Sequence, residues 1–121
     1  MGKVAWVEDD PQIRKLVQAA LRSSPHELHF ATNGREGIEL VERVRPDVVF
    51  TDVSMPEMDG LQMVDAIRAN PALAAVRVVF VTASLQREQI ERYTARGAEA
   101  YIAKPFSTAE LREHIARLVP A

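Results

Sequence analysis

Val48-Val49-Phe50-Thr51-Asp52 is a continuous run of β-formers that closes on a carboxylate and is followed by Met55-Pro56-Glu57-Met58-Asp59-Gly60. A strand without polar alternation is covered by helices on both faces, the usual condition of a parallel sheet. Open α/β sheets place their active sites at the C-terminal ends of such strands, where Asp52 stands. Three further strand ends supply matching pieces: Glu8-Asp9 after Val4-Ala5-Trp6-Val7, Thr82 after Val78-Val79-Phe80-Val81, and Lys104-Pro105 after Ala100-Tyr101-Ile102-Ala103. Three carboxylates, one hydroxyl and one lysine on a common edge predict a cation-assisted site for phosphoryl chemistry.

Outward from that edge, the chain reads as five repeats of strand then helix, which predicts a doubly wound α/β fold. Strands are expected over 4–8, 27–31, 47–52, 77–82 and 99–103. Ile13, Leu16, Val17, Ala20 and Leu21 have the spacing of one buried helical stripe. Ile38, Val41 and Val44 form a second, Leu61, Val64 and Ile67 a third, and Leu111, Ile115 and Leu118 that of the last helix. The stretch from Leu85 to Arg96 is thinner, with Ile90 and Tyr93 as its apolar anchors, so the fourth helix is expected to be the most mobile or the most partner-facing. Asp10 with Pro11 reads as N-cap and first helical residue. Asn33 with Glu36, Asp59 with Gln62, and Ser107 with Glu110 have capping-box spacing. Pro25, Pro46 and Pro71 stand beyond helix ends, and Gly97 suits a left-handed position after the fourth helix.

Composition limits the remaining classes. A chain of 121 residues, 47% hydrophobic and 26% charged, is that of one ordinary globular domain, here taken as 1–121 with no output domain. A formal net charge of -2 provides no field to recruit nucleic acid or an anionic membrane, and neither is expected as a partner. The absence of cysteine excludes disulfides, thiolate metal sites and cysteine nucleophiles. No apolar run spans a bilayer and no signal-peptide pattern opens the chain, so a cytoplasmic location is expected. The Met1-Gly2 start lacks the Ser or Thr of a myristoylation motif, since Trp6 stands there. A short tail, Pro120-Ala121, follows the last helix. His26, His29 and His114 are too scattered for a metal site. Trp6 reads as core packing on the first strand.

Val7-Glu8-Asp9-Asp10-Pro11, the segment from Asp47 to Gly60, Val81-Thr82-Ala83-Ser84, and Tyr101-Ile102-Ala103-Lys104-Pro105-Phe106 resemble the receiver domain of two-component response regulators. The resemblance runs from the first strand to the last helix. It implies a flavodoxin-like (βα)5 sheet of strand order 2-1-3-4-5, as in the chemotaxis response regulator.

By that resemblance, Asp52 is the phosphoryl acceptor, attacking the phosphorus of a phosphohistidine on a sensor histidine kinase or a His-containing phosphotransfer protein. Glu8, Asp9 and Asp52 would repel one another by about 4 kcal/mol per pair at roughly 4 Å and an effective dielectric of about 20. The family answers this with Mg²⁺ or Mn²⁺, held directly by Asp9, Asp52 and the backbone carbonyl of Ser54, with Glu8 acting mainly through water. Glu8 is a frequent variant of an Asp in that place, and Asp10 is read as a helix cap. The resemblance makes Lys104 the partner of the Asp52 carboxylate and later of a phosphoryl oxygen, and makes Lys104-Pro105 a cis bond. Thr82 would bond the phosphoryl group while Tyr101 changes between exposed and inward rotamers. Ser54 and Ser84 would influence attack of water on the acyl phosphate.

Two surfaces follow from the same resemblance. The fourth helix, fifth strand and fifth helix would engage a downstream protein or fused output domain. Gln12, Lys15, Gln18, Ala19 and Arg22 on the first helix, with the loop after Lys104, would select the kinase. The function implied is a signalling switch that catalyses only its own phosphorylation and dephosphorylation. A phosphorylation-independent binding module with the same fold is the alternative, although the acids, Asp52 and Lys104 are all retained. An aspartyl-phosphate hydrolase of the haloacid dehalogenase type would need an Asp at the position of Ser54. A flavodoxin would need a phosphate loop where this chain has acids.

Overall fold

The five expected strands pair side by side in the computed structural model, which describes residues 2–120. Strands β1 (Lys3–Val7), β2 (Glu27–Ala31), β3 (Val48–Asp52), β4 (Arg77–Thr82) and β5 (Ala100–Ala103) form one parallel sheet in the order β2-β1-β3-β4-β5. Helices α1 (Pro11–Leu21), α2 (Gly34–Val44), α3 (Gly60–Ala69), α4 (Arg87–Ala95) and α5 (Thr108–Leu118) connect or follow them. This is the expected flavodoxin-like fold. Met1 of the Met1-Gly2 start and Ala121 of the terminal pair lie outside the described residues. Among the described residues, no helix is long and apolar enough to cross a membrane.

The sheet buries both faces, which is why its central strands lack polar alternation. On one side Val4, Trp6, Phe50, Val79 and Val81 pack against Val17 of α1 and Leu111 and Ile115 of α5. Trp6 stacks on Phe50 with ring centroids 4.9 Å apart and planes 8° from parallel. On the other side Ala5, Val7, Val49, Val78 and Phe80 meet Val41, Val64, Ile67 and Tyr93 from α2, α3 and α4. Burying a large apolar side chain of this kind stabilises the fold by about 1.5–3 kcal/mol. Winding reverses between β1 and β3, so the crevice at their C-terminal ends is left uncovered by either set of helices.

Local signals placed most of the boundaries. The Asp10 carboxylate accepts from Gln12 N at 2.8 Å, with Pro11 opening α1. Asp59 with Gln62 and Ser107 with Glu110 form reciprocal capping boxes. Gly97 has φ +73°, the left-handed conformation expected after α4. Asn33 caps α2 by accepting from Glu36 N at 2.9 Å, but the return bond expected of Glu36 goes elsewhere. Its carboxylate accepts from both the backbone N–H (3.0 Å) and the hydroxyl (2.6 Å) of Thr32, a two-donor partner that Asn33 N–H does not match. Strand β1 stops at Val7, one residue short of Glu8, although Glu8 N still donates to Ala31 O at 2.9 Å. Strand β3 starts one residue late because the Asp47 side chain turns back to accept from Lys3 N at 2.7 Å.

Arg68 has a role that its position near the end of an amphipathic helix does not suggest. Its guanidinium donates to the carbonyls of Ala74 (2.8 Å), Val76 (2.6 Å), Arg96 (3.0 Å) and Gly97 (3.3 Å). One side chain therefore satisfies carbonyls of two separate connections and pins the α4–β5 turn to α3. Burial alone pulls its pKa below the usual arginine value, which leaves it charged at any working pH. Arg68→Leu should cost about 2 kcal/mol, the worth of a few hydrogen bonds to a charged donor. Urea unfolding measures this directly; a loss under about 0.5 kcal/mol, the usual surface scatter, would contradict the role.

Candidate functional site

The C-terminal ends of β1, β3, β4 and β5 bring Glu8, Asp9, Asp52, Thr82 and Lys104 to one edge, the edge that the sequence pointed to. Carboxylate oxygens of Glu8, Asp9 and Asp52 lie within 4.8 Å of one another. Glu8 is fully buried, Asp52 is 8% exposed and Asp9 is open to solvent. Arg14 of α1 holds the acidic turn from behind, its Nη1 donating to Glu8 O (2.9 Å) and Asp9 O (3.0 Å).

Helix α3 closes tightly on the end of β3. Gly60 N donates to Val53 O at 2.8 Å, and a Cβ at residue 60 would stand 2.2 Å from Asp52 O. Only glycine fits there, which gives Asp59-Gly60 a steric reason beyond capping. In the intervening loop Glu57 has φ +66° and Met58 N donates to Pro56 O at 2.8 Å, a tight turn that costs a non-glycine residue on the order of 1 kcal/mol. Ser54 is exposed on this loop.

Lys104 lies at the centre of the cluster. Its Nζ is 3.0 Å from Asp52 Oδ2, the expected partner, and 2.8 Å from Glu8 Oε1, a second partner that the sequence does not indicate. Glu8 Oε2 in turn accepts from Asp10 N at 3.2 Å. The following Lys104-Pro105 bond is cis. Thr82, 5% exposed, makes no bond through its hydroxyl to either Asp52 or Lys104 among the described residues, although Lys104 N donates to Thr82 O at 2.8 Å. Its hydroxyl faces Ser84 and, at 3.0 Å, the Tyr93 hydroxyl. Tyr101 is 37% exposed on edge strand β5, with its ring centroid 6.1 Å from that of Tyr93. Periodicity alone presents Tyr93 as no more than an apolar anchor. Its hydroxyl is the available hint to a further role, since a buried tyrosine O–H needs a partner.

The donor set is oxygen only and outnumbers its single ammonium, a composition that suits a hard divalent cation such as Mg²⁺ or Mn²⁺. A doubly wound sheet with this acid cluster and lysine at its switch point defines a class, and comparison with known proteins gives the family. A model of the response regulator receiver domain matches residues 4–116. The polar-differentiation response regulator DivK of Brucella anthropi is 33% identical over 112 residues, covering 93% of this chain and 91% of that protein. Of other curated relatives the chain spans only between 24% and 52% of the length. Chemotaxis response regulator CheY4 of Vibrio cholerae superposes with TM-score 0.90 at 30% identity, each chain covered to 98%. The receiver domain of sensor histidine kinase PA1611 from Pseudomonas aeruginosa, with a magnesium ion in its active site cleft, does so with TM-score 0.84 at 29% identity, over 97% of this chain and 96% of that one. The chain belongs to the response regulator receiver domain family of two-component signalling. Receiver domains of this family are phosphorylation-controlled signalling switches.

Charge balance in the cluster gives Glu8 an unusual protonation equilibrium. Burial, reinforced by the Asp52 charge and only partly offset by the Lys104 hydrogen bond, raises its pKa to about 7. Burial also opposes the charge on Lys104, but its bonds to Glu8 and Asp52 outweigh this and hold it above the ordinary lysine value. Between pH 4.5 and about 7 the folded protein retains a proton on Glu8 that the unfolded chain has lost. Its contribution is therefore fully present below pH 4.5 and fades as pH rises through about 7. Glu36 and Glu110, both lowered by bonds to Thr32 and Ser107 respectively, act oppositely and only as pH falls through the ordinary carboxylate range. In EDTA, the stability of wild type minus that of Glu8→Gln should decline between pH 5 and pH 7.5, as followed by urea unfolding. A difference that is flat or rises over that interval would contradict the assignment.

Proposed function

We propose that Asp52 is the phosphoryl acceptor of this receiver and that Glu8, Asp9, Lys104 and Thr82 serve that single transfer. The observation that carries this reading is the pair of bonds from Lys104 to Asp52 and Glu8 beside the three-carboxylate cluster. Lys104 holds Asp52 Oδ2, which leaves Oδ1 for in-line attack on phosphorus. In that step the new O–P bond forms as the P–N bond of a partner phosphohistidine breaks, and the electron pair stays with the departing imidazole. A carboxylate suffices as nucleophile because the leaving group is good and the surroundings stabilise the charge that moves onto the phosphoryl oxygens.

Asp9 and Asp52 with the Ser54 backbone carbonyl would hold Mg²⁺ or Mn²⁺ directly, and Glu8 mainly through water. When bound, the ion neutralises charge on the phosphoryl oxygens. Lys104 has the reach to follow that charge, since a compact ammonium on a flexible stem can pass from carboxylate to phosphoryl oxygen. Thr82 donates its hydroxyl proton to the same group. Ser54 and Ser84, both small, leave the acyl phosphate open to water, so the protein hydrolyses its own phosphoryl group as well as accepting it.

The donor is a sensor histidine kinase or His-containing phosphotransfer protein in the cytoplasm, met through Gln12, Lys15, Gln18, Ala19 and Arg22, all exposed on or just after α1. Output passes to a downstream protein or fused domain through the face of α4, β5 and α5, where Tyr101 and Leu85 (42%) are the exposed large apolar residues. Neither nucleic acid nor membrane is a direct partner of this chain.

Intact mass after incubation with acetyl phosphate tests the transfer. Wild type should gain one phosphoryl group only with Mg²⁺, and Asp52→Ala none. Lys104→Met should slow the gain on the order of a hundredfold, as for loss of a preorganised charge-stabilising donor. Phosphoryl gain by Asp52→Ala equal to that of wild type would refute the acceptor.

A further inference from the structure

We propose that Tyr93 is a latch on Thr82, holding the resting state and carrying the release of Thr82 to helix α4. The inference rests on the reading of Asp52 as acceptor and concerns a residue that reading does not use. A threonine hydroxyl has one proton and two acceptor sites. Here both acceptor sites are taken, by Tyr93 O–H at 3.0 Å and Ser84 N–H at 3.1 Å, while the proton points to Ser84 O at 3.3 Å. Every bonding direction of the hydroxyl is therefore used, and none is directed at Asp52 or Lys104. Thr82 lies one residue beyond Val81, the register partner of Asp52, so a phosphoryl group on Asp52 comes within a side-chain rotation of it. That rotation breaks the bond to Tyr93.

The break has a consequence because of where Tyr93 sits. It is 1% exposed, and among the described residues it is the one buried residue of α4. Helix α4 also has no side-chain N-cap bond, so Tyr93 is its main attachment to the sheet. Deprived of Thr82, the buried Tyr93 hydroxyl retains only Ser84 O at 3.3 Å, which is long for an O–H···O bond. Leaving such a group unsatisfied is costly, which favours a shift of the ring and of the helix that bears it. The ring stacks on Phe80 at 4.9 Å and meets Tyr101 at 6.1 Å, and Phe80 and Tyr101 are register partners across β4 and β5. Tyr93 thus neighbours both rings, so a shift of Tyr93 is felt at Tyr101.

The latch opposes activation, so removing it should favour the phosphorylated form. Beryllofluoride with saturating Mg²⁺, a stable mimic of the acyl phosphate, can be titrated by calorimetry into wild type, Tyr93→Phe, Thr82→Val and the double variant. Tyr93→Phe keeps the ring and removes the hydroxyl. It should tighten beryllofluoride binding about fivefold, the equivalent of one ordinary hydrogen bond. In the Thr82→Val background the same substitution should change nothing, because no hydroxyl remains to be held. Unchanged or weaker binding by Tyr93→Phe, or equal tightening in both backgrounds, overturns the latch while leaving Asp52 as acceptor. Failure of wild type to bind at all overturns both. Should Tyr93→Phe not fold, the Tyr93 ring resonances decide the question in its place. They should move on beryllofluoride binding in wild type and stay in Thr82→Val; equal movement in both overturns the proposal.

Discussion

The Lys104 ammonium, 2.8 Å from Glu8 and 3.0 Å from Asp52, is the contact that permits the rest of the site. Two carboxylates from neighbouring strands, one wholly buried, would otherwise repel in a setting poor in water. The contact joins β5 to β1 and β3, so it depends on the full sheet order rather than on any local turn. It leaves the cluster still rich in negative charge. A divalent cation and a phosphoryl group can both add to such a cluster, the first to offset charge and the second to draw the lysine away. Resting stability and capacity to change therefore arise from one interaction.

Around that contact the backbone is held tightly and the output elements loosely. Gly60 lets α3 abut the end of β3, Arg14 grips the carbonyls of the acidic turn, and Arg68 ties α3 to the start of β5. Helix α4 has a single buried side chain among the described residues and no side-chain cap. Elements with few buried contacts are those that move at low cost, and the face formed with β5 is the one left free to do so.

Much of this was legible in the sequence because parallel sheets write themselves plainly. The runs ending at Val7, Thr51, Val81 and Ala103 are almost continuous in β-formers, and each is followed by a polar residue at the crevice, namely Glu8, Asp52, Thr82 and Lys104. Helix starts were equally clear wherever Asp or Ser preceded a suitable third residue. What escaped was long-range side-chain geometry. The second partner of Lys104 is 96 residues away, and nothing in a local pattern says which of two acids an ammonium will choose. Arg68 looks like any solvated arginine until the turns that surround it are in place. Tyr93 fits the apolar stripe of α4 through its ring, which hid the hydroxyl that meets Thr82. The Asn33–Glu36 pair failed for a smaller reason of the same kind, the presence of a better donor one residue earlier at Thr32.

The most direct test of this account is a crystal structure of the protein with Mg²⁺ and beryllofluoride. The account predicts beryllium bonded to Asp52 Oδ1, the cation among Asp9, Asp52 and the Ser54 carbonyl, and Lys104 turned from Glu8 to a fluorine. Beryllofluoride absent from Asp52, or Lys104 still paired with both carboxylates beside it, would contradict the claim that this one ammonium links the resting cluster to its phosphorylated form.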